Sequence, residues 1–188
     1  MAIDDRLIFL KSKNVFLKVL EEKDLIESKW ISWFNDYERC KFNQHHRFPV
    51  TYGTQLQVMA ESNKRKIMLG IVNSKLNETI CGVISIQDID FINGTAELGI
   101  MLDKDSEKFP EIFADSVSLI IHHAFTELRL RKISIGSINS KLIKVFEKLF
   151  GFIEEGILKN QVFKNSEYRD VYIAAVFIDT MKFCHEEP

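Results

Sequence analysis

One short run constrains this chain more than any other: Ala96-Glu97-Leu98-Gly99-Ile100-Met101-Leu102. It alternates as a strand does, carries a single carboxylate, breaks its own pattern at a glycine and leads through a polar segment into a long amphipathic helix. Successive strand residues point to opposite faces, so Ala96, Leu98 and Ile100 share one face and Glu97, Gly99 and Met101 the other. Upstream, residues 79–89 form a β-branched strand, and Asn93-Gly94 is a strong hairpin signal, so residues 95–102 return antiparallel. Downstream, residues 110–128 read as a helix, with Pro110 where its missing N–H costs nothing. Its apolar residues Ile112, Val117, Ile120, Ile121, Ala124 and Phe125 recur at helical spacing.

Between strand and helix, Asp103-Lys104-Asp105-Ser106-Glu107-Lys108-Phe109-Pro110-Glu111 contains no glycine. The helix start at residues 108–113 is an anion site in principle, because its first N–H groups are free and the helix dipole is positive there. Lys104 and Lys108 add positive charge, while Glu111 opposes an anion. Two unit charges near 4 Å interact by about 4 kcal/mol at an effective dielectric of 20. The same residues also suit an ordinary helix start whose own carboxylate satisfies the dipole.

Elsewhere, residues 14–20 read as a first strand. Residues 25–36 are expected to form one helix, with Ile26, Trp30, Trp33 and Phe34 on its buried face and Asp24 or Ser28 as its cap. Residues 43–49 are irregular ahead of Pro49. Thr51 or Thr54 then caps a helix reaching Met59 or Glu61. Residues 66–72 are a strand, residues 132–138 another, and residues 140–150 a short helix stopped by Gly151. Two strand-like runs surround residues 164–167. The expected fold is therefore a single α/β domain, a mixed sheet flanked by helices, with a core over about residues 14–180.

At 188 residues with a formal charge of −2, the chain gives no electrostatic reason to expect a nucleic-acid partner. No apolar run approaches the roughly 20 residues that span a bilayer, and the first residues carry an acidic pair and no apolar leader core. Three scattered cysteines argue against a disulfide framework. The expectation is a cytoplasmic protein without a membrane partner. No metal site is expected: His122 and His123 point about 100° apart on a helix, and no third ligand accompanies them or the His45-His46 pair.

Four segments in order carry a family resemblance: Trp30-Ile31-Ser32-Trp33-Phe34-Asn35-Asp36; Asn93-Gly94-Thr95-Ala96-Glu97-Leu98-Gly99-Ile100; Asn139 followed by Phe146-Glu147-Lys148-Leu149-Phe150-Gly151-Phe152; and Glu155-Gly156 with Ser166-Glu167-Tyr168-Arg169-Asp170. Together they resemble the GNAT superfamily of N-acetyltransferases, specifically the branch of ribosomal-protein N-terminal and nucleotide-sugar N-acetyltransferases. The resemblance implies acetyl-CoA as co-substrate and a primary amine as acceptor, either an amino sugar on a nucleotide carrier or a protein N-terminus. It implies Glu97 as general base, with Tyr168 as acid or acceptor contact. The backbone at Gly99, Ile100 and Leu102 would hold the pantetheine arm. Lys104, Lys108 and Phe113 would lie at the pyrophosphate, Asn139 and Phe146 at the cofactor arm, and Trp33, His45 and Arg47 at the acceptor. Each has a plainer reading beside it: a solvent-facing glutamate, a helix cap at Asn139, a hairpin aromatic at Tyr168, a surface arginine at Arg47.

The chain departs from the family pattern in three places. Phe109 and Glu111 stand where glycines of the pyrophosphate loop would fall, Phe146 replaces a tyrosine able to protonate the thiolate, and Phe150 adds a residue before Gly151. These departures favour two rival readings, a GNAT-fold protein that binds without catalysis and an enzyme with an altered acyl donor. A homodimer is the expected assembly if the last strands leave an open edge.

Overall fold

The computed structural model describes residues 4–43, 45–61, 65–76, 79–106 and 109–181. The strands are β1 (Ile8–Lys11), β2 (Val15–Val19), β3 (Ile67–Asn73), β4 (Gly82–Asp90), β5 (Thr95–Leu102), β6 (Lys132–Ser137), β7 (Ile153–Lys164) and β8 (Glu167–Phe177). They form one sheet in the order β1-β2-β3-β4-β5-β6-β8-β7. Every neighbouring pair is antiparallel except β5 and β6, which run parallel. That exception follows from the connection: a helix crossing one face returns the chain in the same direction.

Helices cover both faces. α1 (Glu22–Glu27), α2 (Trp30–Asn35) and α4 (Tyr52–Ala60) pack on one side, where Leu25, Trp30, Trp33 and Phe34 meet Val72, Ile80, Val83 and Met101. A four-residue helix, α3 (Tyr37–Cys40), follows α2. On the other side, α5 (Phe109–Thr126) and α6 (Ser140–Phe150) cover the larger core, where Ile112, Val117, Ile120, Ile121 and Ala124 pack on Leu17, Ile71, Ile84, Leu98 and Ile133. Each fully buried Val, Leu or Ile among them contributes about 1.5–3 kcal/mol. The alternation of β5 is as expected: Ala96 and Leu98 pack toward α5, Met101 toward α2.

Three expectations are corrected. β1 was not anticipated, because four residues at a sheet edge show little period. Residues 25–36 are not one helix: the chain breaks between α1 and α2, and Ile26 is 70% exposed rather than aligned with Trp30. The break follows from local polar bonds. Asp24 accepts from the N–H of Glu21 (2.8 Å) and from the ammonium of the buried Lys18 (2.8 Å), and Ser28 accepts from the N–H of Trp30 (3.1 Å), which starts a second helix. The β4–β5 hairpin is not a two-residue Asn-Gly turn. Asp90 accepts from the N–H groups of Ile92 (2.9 Å) and Asn93 (3.0 Å), and only Gly94 takes a left-handed φ of 64°.

Candidate active site

The parallel pairing of β5 with β6 lasts for three positions: Thr95 with Lys132, Ala96 with Ile133 and Glu97 with Ser134. Beyond that point the strands part, although β5 runs on to Leu102 and β6 to Ser137. Each stays paired on its other side, β5 with β4 and β6 with β8. The facing backbone groups of residues 98–102 and 135–137 therefore line a wedge-shaped gap without strand partners. Backbone N–H and C=O groups need partners when water is displaced, so such a gap is a place for a chain-like polar ligand to lie.

Glu97 stands at the apex of this gap, on the α2 side of the sheet. Directly across β4 is Gln87. Desolvation by neighbouring atoms pushes the Glu97 carboxyl above its ordinary value, the charge of Asp88 adds to this, and a hydrogen bond from Gln87 pulls the other way. The side chain as a whole is reached by water, so the shift reflects crowding around the carboxyl and not enclosure. Asp88 comes within electrostatic reach because the β4 ladder slips between Gln87 and Asp90, with Asp88 at a left-handed φ of 52°. Gly99 continues the polar stripe: a Cβ there would sit 2.9 Å from the Ser85 hydroxyl.

The loop after β5 holds its shape without glycine. No described residue from 103 to 106 has a positive φ, so the conformational freedom of glycine is not required there. The side chain of Asp103 accepts from the N–H of Asp105 (3.2 Å), and its carbonyl accepts from the N–H of Ser106 (2.9 Å). Arg39 of α3 ties the loop down, donating to Asp103 (2.7 Å) and to Asp105 (2.8 Å). Burial alone would push the Asp103 carboxyl up, but the guanidinium and the Asp105 N–H hold it below the usual range. Lys104 is exposed in this loop, and Lys108 lies outside the described residues.

A second wall is built by the β7–β8 hairpin and the segment after α3. Arg47 donates to the carbonyl of Phe163 (2.9 Å), and Lys164 donates to the carbonyl of His45 (2.6 Å). The His45 ring meets Phe34 edge-on with centroids 4.4 Å apart. Burial and the charge of Lys164 both favour its neutral form. A cavity of about 160 Å³ lies here, and Ile138 at the end of β6 forms part of its wall.

Other residues singled out from the sequence fall as follows. Trp33 is 1% exposed, packs in the α2-side core and borders a separate cleft of about 370 Å³ that also touches Asp103. Ile100 and Leu102 are half-buried against the α5-side core. Phe113 stacks on Phe109 (6.4 Å) and meets Phe146 edge-on (5.5 Å). Phe146 is 2% exposed, enclosed by Phe113, Phe150 and Phe152. Asn139 caps α6, accepting from the N–H of Lys141 (3.1 Å). Tyr168 is 66% exposed, with its ring on Phe163. By register Ala175, not Tyr168, lies level with Ser134 and Glu97, and seven strand positions separate the two, about 23 Å at about 3.3 Å each. The structure does not bring Tyr168 to Glu97. Among the described residues no group of three or more His, Cys, Asp or Glu could hold a metal ion, and no helix is long and apolar enough to cross a membrane.

Residues 14–152 match the acetyltransferase (GNAT) domain family. The chain belongs to that family. A ribosomal-protein-serine acetyltransferase of Escherichia coli is 34% identical over 104 residues, 55% of this chain and 58% of that relative. The chain thus matches little more than half the length of that protein. Two solved structures share the GNAT fold over nearly the whole chain. One is the ribosomal-protein alpha-N-acetyltransferase RimL with coenzyme A (TM-score 0.77, 19% identity, 90% of this chain and 97% of that one). The other is spermidine N-acetyltransferase from Vibrio cholerae with CoA and spermine (TM-score 0.75, 19% identity, 90% and 98%).

Arg39, Lys164 and Arg169 were not legible as site residues. Arg39 and Lys164 act through partners distant in sequence, Asp103 and His45, and Arg169 joins Lys164 only through the wall of a shared cavity.

Proposed function

We propose that this GNAT protein transfers an acetyl group from acetyl-CoA to a primary amine, an amino sugar on a nucleotide carrier or a protein N-terminus. One observation carries the reading: β5 and β6 separate directly after Glu97, leaving two unpaired backbone edges beside a carboxylate of raised pKa. The pantetheine arm is amide-rich and fits such edges. Its thioester carbonyl would lie near the apex, where an N–H of residues 98–102 polarises it and stabilises the oxyanion as the tetrahedral intermediate forms. Glu97, directly or through one water, takes the proton from the acceptor ammonium, and the neutral amine attacks. The intermediate collapses with cleavage of the C–S bond; the attacking nitrogen, cationic after addition, sheds its second proton, and water relays that proton to the departing thiolate. Tyr168, on the outside of the hairpin, has no part in this sequence. Lys104 and the first turn of α5 offer charge and N–H groups for the pyrophosphate, and by sequence Lys108 adds a second positive charge; Phe113 and Phe146 pack on each other as scaffold, and Asn139 caps α6. His45 and Arg47 shape the wall on the acceptor side, while Trp33, buried in the α2-side core beside the separate cleft, takes no part in that wall.

Melting temperature with and without acetyl-CoA tests the donor half of this reading. A ligand at about 100 times its Kd stabilises a fold by about 2.7 kcal/mol, a readily visible shift, and release of free thiol on adding an amine then tests transfer. A second reading, a non-catalytic binding protein, draws on the glycine-free loop pinned by Arg39 and on Phe146 without a hydroxyl. No shift at millimolar acetyl-CoA would make that reading the better one.

A further inference from the structure

The cavity of about 160 Å³ under the β7–β8 hairpin is lined by Tyr37, Glu38 and Lys41 of the α3 region, Ile138 after β6, and Lys164 and Arg169 of the hairpin. Its charges do not balance. Glu38 is taken by Lys41 (2.8 Å), and Arg169 is engaged by Glu167 (2.7 Å), both partly open to water. Lys164 is different. It is 6% exposed, yet its ammonium has a carbonyl for a partner, that of His45 at 2.6 Å, and among the described residues no carboxylate lies within ion-pair distance of it. Glu167, directly opposite Lys164 in the hairpin register, is turned to Arg169 instead.

An ammonium withdrawn from water is costly unless an anion and hydrogen bonds replace its hydration. One carbonyl satisfies one of its three donors. The remaining donors belong to a residue that lines a cavity, beside a guanidinium whose fork suits a carboxylate or phosphate. Along this part of the hairpin the side chains alternate. Val162 and Lys164 are buried and Arg169 shares their face, while Phe163 and Tyr168 lie outside.

The geometry points to Lys164 and Arg169 as an oxyanion subsite for the acceptor, a role that rests on the acetyl-transfer reading above. Its position sets a length. Ile138 lies four residues past Ser134, the partner of Glu97, so the near wall of the cavity is about 13 Å from the apex at about 3.3 Å per strand residue. The backbone that carries Arg169 and Lys164 stands farther out, six and eight strand positions beyond the level of Ala175, about 20–26 Å, and their long side chains enter the cavity from there. An acceptor that fills both places carries its amine and its phosphate or carboxylate at least about 13 Å apart. A simple α-amino acid is too short. An amino sugar joined to a nucleotide diphosphate reaches only toward this near limit, and an extended peptide with an acidic side chain four or more residues from its N-terminus has the span.

The test uses matched acceptors and a direct binding measurement. In transfer assays, an amino-sugar nucleotide is compared with the free amino sugar, and a peptide acidic at its fourth position with the alanine-substituted peptide. For the wild type, KM is expected to be at least tenfold lower for the anionic member of one pair. Lys164→Met should erase that difference while kcat on the anionic acceptor changes less than KM. Arg169→Gln, at an exposed position that folds readily, should reduce the difference by several fold. Which pair shows the effect separates the phosphate from the carboxylate source. Independently, titration of inorganic phosphate, and of acetate, into the CoA-saturated protein should give saturable binding that Lys164→Met removes. Equal KM values within both pairs, or anion binding untouched by Lys164→Met, would overturn the subsite. Anion binding that depends on Lys164, with no acetyl-CoA binding and no transfer to any acceptor, would instead sink the acetyltransferase reading and leave the anion site standing.

Discussion

Arg39 on α3 reaches Asp103 at the end of β5 with a contact of 2.7 Å, and the same guanidinium holds Asp105 at 2.8 Å. One side chain therefore joins the wall of the acceptor-side cavity to the loop that would receive the donor. Arg39→Ala leaves a nearly buried Asp103 carboxylate without its main partner, and should cost about 2–4 kcal/mol in urea unfolding at neutral pH. Arg39→Lys should recover only part, because one ammonium cannot span both carboxylates. The folded-state pKa of Asp103 is depressed, so its contribution is present above the ordinary carboxylate range and lost as pH falls through the depressed value. The variant should accordingly lose less stability on acidification than the wild type. Equal acid sensitivity would show that the pair is not what holds the loop.

Glu97→Gln keeps the shape of the side chain and removes its basicity. Turnover should fall by about 100- to 10,000-fold, with acetyl-CoA affinity by calorimetry unchanged. In the wild type, kcat/KM should drop on the acid side with a midpoint above that of an ordinary glutamate, since desolvation by crowding atoms and the charge of Asp88 hold the proton on. Folding stability carries the opposite sign to that of Asp103. Between the ordinary and the raised value the folded state binds more protons, so stability declines as pH rises through that window. The glutamine variant should lack that decline in unfolding curves taken across it.

Gly99 and Ser85 are coupled by space. A Cβ at position 99 would meet the Ser85 hydroxyl at 2.9 Å, closer than ordinary contact. Gly99→Ala should destabilise by about 1–2 kcal/mol, and Ser85→Ala in the same chain should return about 1 kcal/mol of it in a double-mutant cycle. Strict additivity would mean that the strand moves aside instead.

Phe146→Tyr restores the residue type that the family pattern carries, yet should not improve the protein. Its ring is enclosed by Phe113, Phe150 and Phe152, so a hydroxyl would enter an apolar cluster at a cost of about 1–3 kcal/mol. A lower melting temperature with no gain in turnover is expected. A rise in turnover would place the ring at the thiolate after all.

Much of the scaffold was written in periodicity. β5 spans residues 95–102 as its alternation requires, and α6 starts at Ser140 and ends at Phe150 before Gly151, whose φ of 79° explains the stop. The face that Glu97 shares with Gly99 and Met101 was readable from spacing two. The break between α1 and α2 was not, because Ile26 fits the helical period as well as Trp30 does. What overrides it is a buried ion pair from Lys18 and the bonds of Ser28, which no local pattern displays. The same limit hid Arg39 and Lys164. Their roles arise from partners 64 and 119 residues away, and a charged residue in a hairpin or a short helix reads as surface until the fold folds over it.

The brevity of the β5–β6 pairing has a consequence for motion. Three residue positions join a block of five strands to a block of three, so the ladder is thinnest where the chemistry would occur. Amides bordering that junction should exchange with deuterium through small, frequent openings, while those of β3 and β4 wait for the whole molecule to unfold. A donor seated between the blocks would bridge them, and slower exchange on both sides of the junction at once would record its arrival.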